Sequence, residues 1–504
     1  MPTRQPCLLS IDVGTTHCKV GLFGLDGTCL QAASRPTPVN ASGPAPFIPP
    51  DELWAGIALT IADLHCAGRA LEVAGIGIAS TAESGLLVNR SDGKPLTVIY
   101  PWFDTSPSAE AERLEQAGDA QERFRAGGVY PSFKSSLAKI LWVRQHLELN
   151  LAQALWLSVA DWVAYQLTGA FQTDYSLAGR TYAFRIFEKE WDAPWLKTFG
   201  LSPDLFPPAR PSTEPAGKLT AATAARLDLP AGIPVCIAGH DHICAALAAG
   251  ATHPGVVLDS MGTAEALVGA FPERPLTPAD FQSGFSIGCH TAPGRFYWIG
   301  GLSTSGGALE WLRKLVSTEG LSYEDLAARL AGISNEPGEI LFFPYLAGAG
   351  SPHTDQGMRA AFIGLRLGHQ LGDLLKAVLE GTAFEVELMR RQAEALTGAP
   401  IQRLVVTGGG VRIPRWLQIK ADICGCPYQL AQTSEAVLLG AAVVAGIGAG
   451  LYAGVEPALE AISRRPESLY LPDPERHAGY AARFEHGFLK FQQPLKAFQT
   501  KLAK

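Results

Sequence analysis

The sequence predicts a mixed α/β protein built as two similar halves facing one cleft, and three observations carry that prediction. The chain has 504 residues, more than the about 250 to 300 at which a single hydrophobic core stops growing. Short apolar runs of strand length alternate with stretches of helical spacing, the pattern of α/β architecture. Near residue 255 the pattern starts again. "GVVLDSMGTAEALVG" has the outline of the opening "LLSIDVGTTHCKVGLF": a strand, a turn with Gly and Thr, an apolar continuation. The expected domains are residues 1–247 and 248–504. With 47% apolar and 18% charged residues, both halves hold enough core to be globular throughout.

The elements follow in order. Apolar runs at 8–13 and 19–23 read as strands, and residues 35–50, rich in Pro and Ser, as a linker. A helix starts at about Asp51, and the apolar "VAGIGIAS" follows it. "KILWVRQHL" has helical spacing, and "WLSVADWVAYQLTG" ends at Gly169 as a helix C-cap does. "IPVCIAGHDH" reads as a strand closing the first half near residue 245. Ala436 to Val455 carries no charge, and about twenty such residues could span a bilayer. Gly440, Gly446, Gly448, Gly450 and Gly454 make the segment too weakly apolar for that, so it reads as a buried helix ending in a glycine-rich turn.

Charge and cysteine content narrow the partners. The net charge is −7, and no basic cluster exceeds the pairs Arg390-Arg391 and Arg464-Arg465, so neither nucleic acid nor an anionic membrane is expected as a partner. Nine cysteines, at 7, 18, 29, 66, 236, 244, 289, 424 and 426, are odd in number and form no CxxC, the usage of reduced cytosolic thiols. Asp12 interrupts the first apolar run before it reaches signal-peptide length, and a cytoplasmic location is expected.

The common nucleotide and hydrolase fingerprints fail. No G-x-x-x-x-G-K-[ST] occurs, no G-x-G-x-x-G follows a strand, and "GLSTSGG" misses the G-x-S-x-G elbow because position 305 is Ser. What remains is a set of turns after strands: Gly14-Thr15-Thr16, Gly262-Thr263 and Gly408-Gly409-Gly410. Glycine admits close approach of an anion, turn amides form a concave anion site, and threonine adds hydroxyl donors. An ordinary tight turn explains any one of them equally well; three together could hold one polyphosphate. Asp12 and Asp241 each end an apolar strand, and a carboxylate beside phosphate requires a cation between them or a proton. Phosphoryl transfer needs that arrangement, with Mg²⁺ on phosphate oxygens and a base at the attacking hydroxyl. In "GHDH", strand alternation would set His240 and His242 on one face and Asp241 on the other, which disfavours joint chelation of one ion.

On these residues the chain resembles the FGGY family of carbohydrate kinases. "AAFIGLRLGHQLGDLLKAVLE" at 360–380 fits the family's C-terminal signature at every constrained position. "KILWVRQH" at 139–146 fits the core of the N-terminal signature, while Lys134 stands where that pattern has a small or aromatic residue. Residues 405–450 resemble the family's adenosine segment in the glycine triplet, Trp416, Gln418, Ala421-Asp422, Gly425, Glu435 and Gly440. The resemblance implies a two-domain, actin-like ATPase fold of the ribonuclease H type, sugar bound mainly by the first domain and ATP mainly by the second. It implies Mg²⁺ held by Asp12 through water and by Asp241, phosphates at Gly14, Thr15, Thr16, Gly262 and Thr263, and adenosine at Gly408, Gly409 and Gly410. Asp241 takes the catalytic-base position. Similar kinases are commonly homodimers.

For the acceptor, the resemblance places sugar contacts at Thr81, Glu83, Trp102, Asp104 and Asp241. Glu83 matches the acid with which glycerol kinases bind glycerol, but Ala82 replaces the neighbouring arginine. Xylulokinases carry Met-His or Gln-His where this chain has Thr81-Ala82. Ala349-Gly350 stands where relatives often have Glu-Arg. The expected activity is ATP-dependent phosphorylation of a pentulose such as xylulose or ribulose. The alternatives are a tetritol or glycerol-type polyol as acceptor, or a kinase-like protein that binds sugar or nucleotide without turnover.

Overall fold

The computed structural model describes residues 5–64, 71–316, 321–462 and 468–502. Cys66 and the Arg464-Arg465 pair lie outside the described residues. Two mixed sheets organise the chain. The first, in spatial order, consists of Gly217–Lys218, Pro234–His240, Leu71–Ser80, Gln5–Val13, His17–Gly24 and Cys29–Pro36. The second consists of Ser286–Cys289, Arg295–Leu302, Glu265–Pro272, Val256–Met261, Arg403–Thr407, Tyr428–Leu430 and Leu469–Tyr470.

The wiring repeats. Gln5–Val13 pairs antiparallel with His17–Gly24 and parallel with Leu71–Ser80, which in turn pairs parallel with Pro234–His240. Val256–Met261 likewise pairs antiparallel with Glu265–Pro272 and parallel with Arg403–Thr407, which pairs parallel with Tyr428–Leu430. The loose likeness of residues 8–23 to the stretch after 255 is thus a shared topology. Strands such as Leu8–Val13 are buried on both faces, which is why they read as unbroken apolar runs. Each leaves its polar turn where the sheet ends, and in open α/β sheets ligands bind beyond the carboxyl ends of the strands.

The charge-free segment forms the helix Ala436–Gly448, followed by a separate helix, Val455–Ile462. Among the described residues no helix is long and apolar enough to cross a membrane. Although it lies in sequence between Tyr428–Leu430 and Leu469–Tyr470 of the second sheet, Ala436–Gly448 packs on the first. Glycines permit the contact: a Cβ on Gly77 would lie 2.0 Å from the Ala441 carbonyl oxygen, and one on Gly75 2.8 Å from that of Ala445. On another side Gly440 meets the helix Asp241–Ala248, where a Cβ would lie 1.9 Å from the Cys244 carbonyl oxygen. The two halves are thereby joined through backbone-to-backbone packing, which small residues alone allow. The described cysteines are free thiols, mostly buried.

Candidate active site

Asp12 lies one residue from the end of Gln5–Val13 and pairs across the sheet with Lys19. It is buried, and its Oδ1 has no hydrogen-bond partner. Burial, and then the charge of Asp241, push its carboxyl well above the ordinary aspartate value. Lys19 opposes this but is outweighed, its Nζ lying 2.8 Å from Glu435 in the loop that opens the helix Ala436–Gly448. In the turn that follows, the Gly14 amide donates to the His17 carbonyl at 3.1 Å. Thr15 Oγ1 accepts from Trp102 Nε1 at 2.8 Å, and Thr16 is exposed.

Asp241 corrects one expectation. The strand stops at His240, and Asp241 is the first residue of the helix Asp241–Ala248, so strand alternation does not extend across "HDH". The change of period brings both imidazoles to the carboxylate. His240 Nε2 is 3.2 Å and His242 Nδ1 3.6 Å from Asp241 Oδ1, and the rings stack at 5.4 Å. Ligand atoms of all three lie within 4.8 Å of one another, so the geometric objection to joint chelation falls. Burial alone would raise the Asp241 carboxyl. His242 and His240, with the His242 amide donating at 2.6 Å, outweigh it and hold the group below its ordinary value, ionised at neutral pH. The helix N-terminus acts in the same direction.

Residues that sequence reasoning did not find hold this turn. Gly239 sits at φ +103°, and a Cβ there would lie 2.2 Å from Ser176 Oγ and 2.7 Å from Asp174 Oδ2. Ser176 Oγ accepts the His240 amide at 3.0 Å. Buried Asp174 accepts from the amides of Ser176 and Leu177 and from Ser212 Oγ. With those partners fixed, the chain has one path into the helix that begins with Asp241.

The other two turns meet. Gly262 and Thr263 are exposed between Val256–Met261 and Glu265–Pro272, and the Thr263 carbonyl accepts the amides of Ser305 and Gly307, both at 2.9 Å. Gly408 sits at φ +95°, with space for a Cβ refused by the Met261 carbonyl oxygen at 2.5 Å. The Gly408–Gly410 turn is therefore seated on the strand end that carries Gly262-Thr263. Gly408 and Gly409 are exposed.

A cavity of about 1020 Å³ opens between the halves, with Glu83, Trp102, Phe103, Lys134 and Arg180 on one side and Ala264, Ser303 and His353 on the other. Of the expected sugar contacts, Glu83 and Trp102 line it; Thr81, Asp104 and Asp241 do not. Thr81 Oγ1 bonds Ser84 Oγ at 3.2 Å, and Ser84 Oγ also accepts the Trp102 amide at 3.0 Å, so these residues brace the wall. Asp104 is buried, its Oδ1 accepting from Ser106 in a turn while Oδ2 has no partner. Glu83 has φ +61°, a conformation unusual for Glu and kept only where surroundings impose it. Arg180 imposes it, donating Nε–H to Glu83 Oε1 at 2.7 Å and adding a second bond from Nη2. Against the opposing effect of burial, Arg180 and then His240 hold the Glu83 carboxyl low. Glu83 thus lines the cavity and also lies within electrostatic reach of His240 in the Asp241 cluster. Gly350 is packed with no space for a side chain, its Cβ position lying 1.9 Å from the Gly301 carbonyl oxygen. A second cavity, about 510 Å³, lies where Ala248–Gly250 meet Arg403 and Glu456, and none of the expected site residues lines it.

The residues fit a hard divalent cation. Two carboxylates lie close enough that one raises the other, and the buried Asp12 Oδ1 lacks any partner. Oxygen donors of this kind suit Mg²⁺.

Comparison with known proteins gives the same picture. The model of the FGGY family of carbohydrate kinases, N-terminal domain, matches residues 7–248, and that of the C-terminal domain matches residues 260–449. A glycerol kinase of Gloeobacter violaceus is 28% identical over 485 residues, covering 95% of this chain and 94% of that protein. A xylulose kinase of Staphylococcus epidermidis is 28% identical over 480 residues, covering 94% of each. The crystal structure of Plasmodium falciparum glycerol kinase with ADP superimposes with a TM-score of 0.87 at 18% identity, over 96% of this chain and 98% of that one.

Proposed function

From the premise that the chain belongs to the FGGY family of carbohydrate kinases, ATP-using enzymes that phosphorylate sugars or polyols, we propose that it transfers the γ-phosphoryl group of ATP to a hydroxyl of a small polyhydroxylated acceptor of pentulose size. The observation that carries the reading is Asp241: ionised, 18% exposed, presented by a helix N-terminus and close enough to Asp12 for its charge to raise that carboxyl.

In this reading residues 1–247 bind mainly the acceptor and 248–504 mainly ATP, with adenosine at Gly408–Gly410 and phosphates between Gly14–Thr16 and Gly262-Thr263. Asp12 and Asp241 would hold Mg²⁺, which when bound neutralises charge on the phosphate oxygens and so favours the loose transition state. Glu83, fixed by Arg180, orients acceptor hydroxyls, and Trp102 covers one side of the chain they belong to. Asp241 Oδ accepts the proton of the attacking hydroxyl. A carboxylate this acidic does not ionise an alcohol in advance; it receives the proton late, as the bond to phosphorus forms. Closure of the two halves over the cavity excludes water as a competing acceptor.

The test is coupled ADP release with Mg·ATP across ketopentoses, ketohexoses, pentitols, tetritols and glycerol, for wild type and Asp241→Asn. The variant is expected to lose about 10²- to 10⁴-fold in kcat, the size of a general-base contribution, with ATP affinity within threefold. A variant retaining more than a tenth of wild-type kcat would remove Asp241 from this role. ATP turnover independent of every acceptor would remove the kinase reading of the site.

A further inference from the structure

Lys134 is the charged group of the cavity that the structure leaves without a partner. Its Nζ lies over the Trp102 ring, 5.0 Å from the centroid, and makes no hydrogen bond or ion pair with any described residue. Its backbone is fixed. The Lys134 amide donates to Ser132 Oγ at 3.2 Å, and the carbonyls of Phe133 and Lys134 accept from Nζ of the fully buried Lys139. The amine is therefore held at the cavity wall by its loop and by the indole.

The charges around it do not balance. Besides Tyr130, whose phenol is pushed by burial up to about 12 and stays neutral, four ionisable residues line the cavity: Glu83, Arg180, Lys134 and His353. Glu83 and Arg180 neutralise one another through two hydrogen bonds. His353 is held below its ordinary value by burial and by Lys496, and is neutral at pH 7. Behind the wall Lys139 adds a second amine, with Asp104 as the nearby acid beside Glu83. One positive charge, that of Lys134, remains facing the cavity, partly withdrawn from water. An ammonium in that position is stabilised by a ligand that brings a counter-charge, and a neutral hydroxyl supplies only a dipole.

We infer that the acceptor is a polyhydroxy acid, an aldonate-type chain whose carboxylate pairs with Lys134 while a hydroxyl farther along the chain reaches Asp241. This rests on the kinase reading above and narrows its acceptor from a neutral sugar to an acid sugar. The chain lies along Glu83, which lines the cavity with Lys134 and whose carboxylate is influenced by both Lys134 and His240, the partner of Asp241. Trp102 packs against the same ligand and holds the ammonium through its ring face. Arg180 is taken up by Glu83 and Ala82 brings no further cation, so specificity for the acid falls on Lys134.

Two measurements test this on the full-length protein. The first is calorimetric binding, without ATP, of tetronates, pentonates and hexonates against the ketoses and alditols of equal length. The second is coupled ADP release with Mg·ATP on the same panel. Both are run on wild type, Lys134→Met and Lys134→Arg. One acid is expected to bind and to be turned over at least tenfold better in kcat/KM than its neutral counterparts. Lys134→Met is expected to abolish that preference, mostly through KM, and Lys134→Arg to keep it. Preference for a neutral sugar, an acid preference that survives in Lys134→Met, or no binding of any acid overturns the inference, whichever acceptor the kinase then proves to use. Lys134-dependent binding of an acid with no ADP release from any acceptor supports the acid ligand and overturns the kinase reading instead.

Discussion

Replacing Lys420 by Met tests how the second half holds its phosphate turn. Lys420 on the helix Pro414–Cys424 is fully buried, with Nζ 3.3 Å from Asp259 and ion-paired to Glu265. Asp259 lies on the strand before Gly262-Thr263 and Glu265 on the strand after it, so one amine ties both sides of the turn to the helix behind. Burial, and then the charge of Glu265, push the Asp259 carboxyl well above its ordinary value. Two carboxyl groups therefore share one ammonium, and burial together with their mutual repulsion works against both being charged at once. Lys420→Met keeps most of the volume and removes the cation, leaving Asp259 and Glu265 buried without a counter-charge, with Ser305 Oγ still donating to Glu265. Removing one member of such a pair costs about 3–5 kcal/mol. At about 2–4 °C per kcal/mol for a unit of this size, the melting transition of the second half falls by about 6–20 °C. In Lys420→Met/Glu265→Gln one of the two carboxyl groups is replaced by a neutral amide, and the Gln oxygen still accepts from Ser305. At least half of the loss is expected to return. Urea unfolding followed by circular dichroism, with calorimetric melting, measures both variants. A cost below about 1 kcal/mol, or a double variant no more stable than the single one, would refute the charge argument.

Two further outcomes follow from the packing and the buried acids. Gly440→Ala forces apart the helices Ala436–Gly448 and Asp241–Ala248, for which overpacking costs about 1–3 kcal/mol; it should lower both the melting temperature and kcat, since the second helix carries Asp241, and unchanged stability would contradict the contact. Glu385 is buried, accepts from Tyr345 Oη at 2.6 Å, and has its carboxyl pushed by burial up to about 7. The folded protein keeps a proton there that the unfolded chain releases near pH 4.5, so this group's stabilising contribution is complete in acid and is lost as pH rises through about 7. Glu385→Gln should remove about 2–3 kcal/mol of the fall in stability between pH 5 and pH 8. Superimposable pH profiles of wild type and variant in urea unfolding would rule this out.

How much of the site was legible depends on how each residue is specified. Asp12 and the turns at Gly14, Gly262 and Gly408 could be read because an acid or a Gly/Thr turn after an apolar strand is a local anomaly. Asp241 was legible as a residue, but its relation to His240 and His242 was not. That relation depends on the chain leaving the strand at Gly239, whose φ of +103° is imposed by Asp174 and Ser176 from a different segment. Arg180 gave no sign of its role, since the Glu83 that it fixes lies 97 residues away in the chain. The Lys420 bond to Glu265 spans 155 residues and was invisible for the same reason. Lys134 had been visible as a departure from a motif; its unbalanced charge emerged only once the other charges of the cavity had found partners.

By itself, the sequence determined the mixed α/β class, the restart of the pattern after residue 255, and the polar turns at the strand ends. Periodicity records which side chains must leave water, and Gly, Thr and Asp out of that period mark where the backbone does something else. Tertiary structure alone decided which half the helix Ala436–Gly448 covers, which acid is paired and which is not, and where the free positive charge lies. Those outcomes are differences between burial costs and Coulomb attractions over a few ångströms, set by surfaces that meet only after the two sheets have folded and Gly77 and Gly440 have let the helix between them approach.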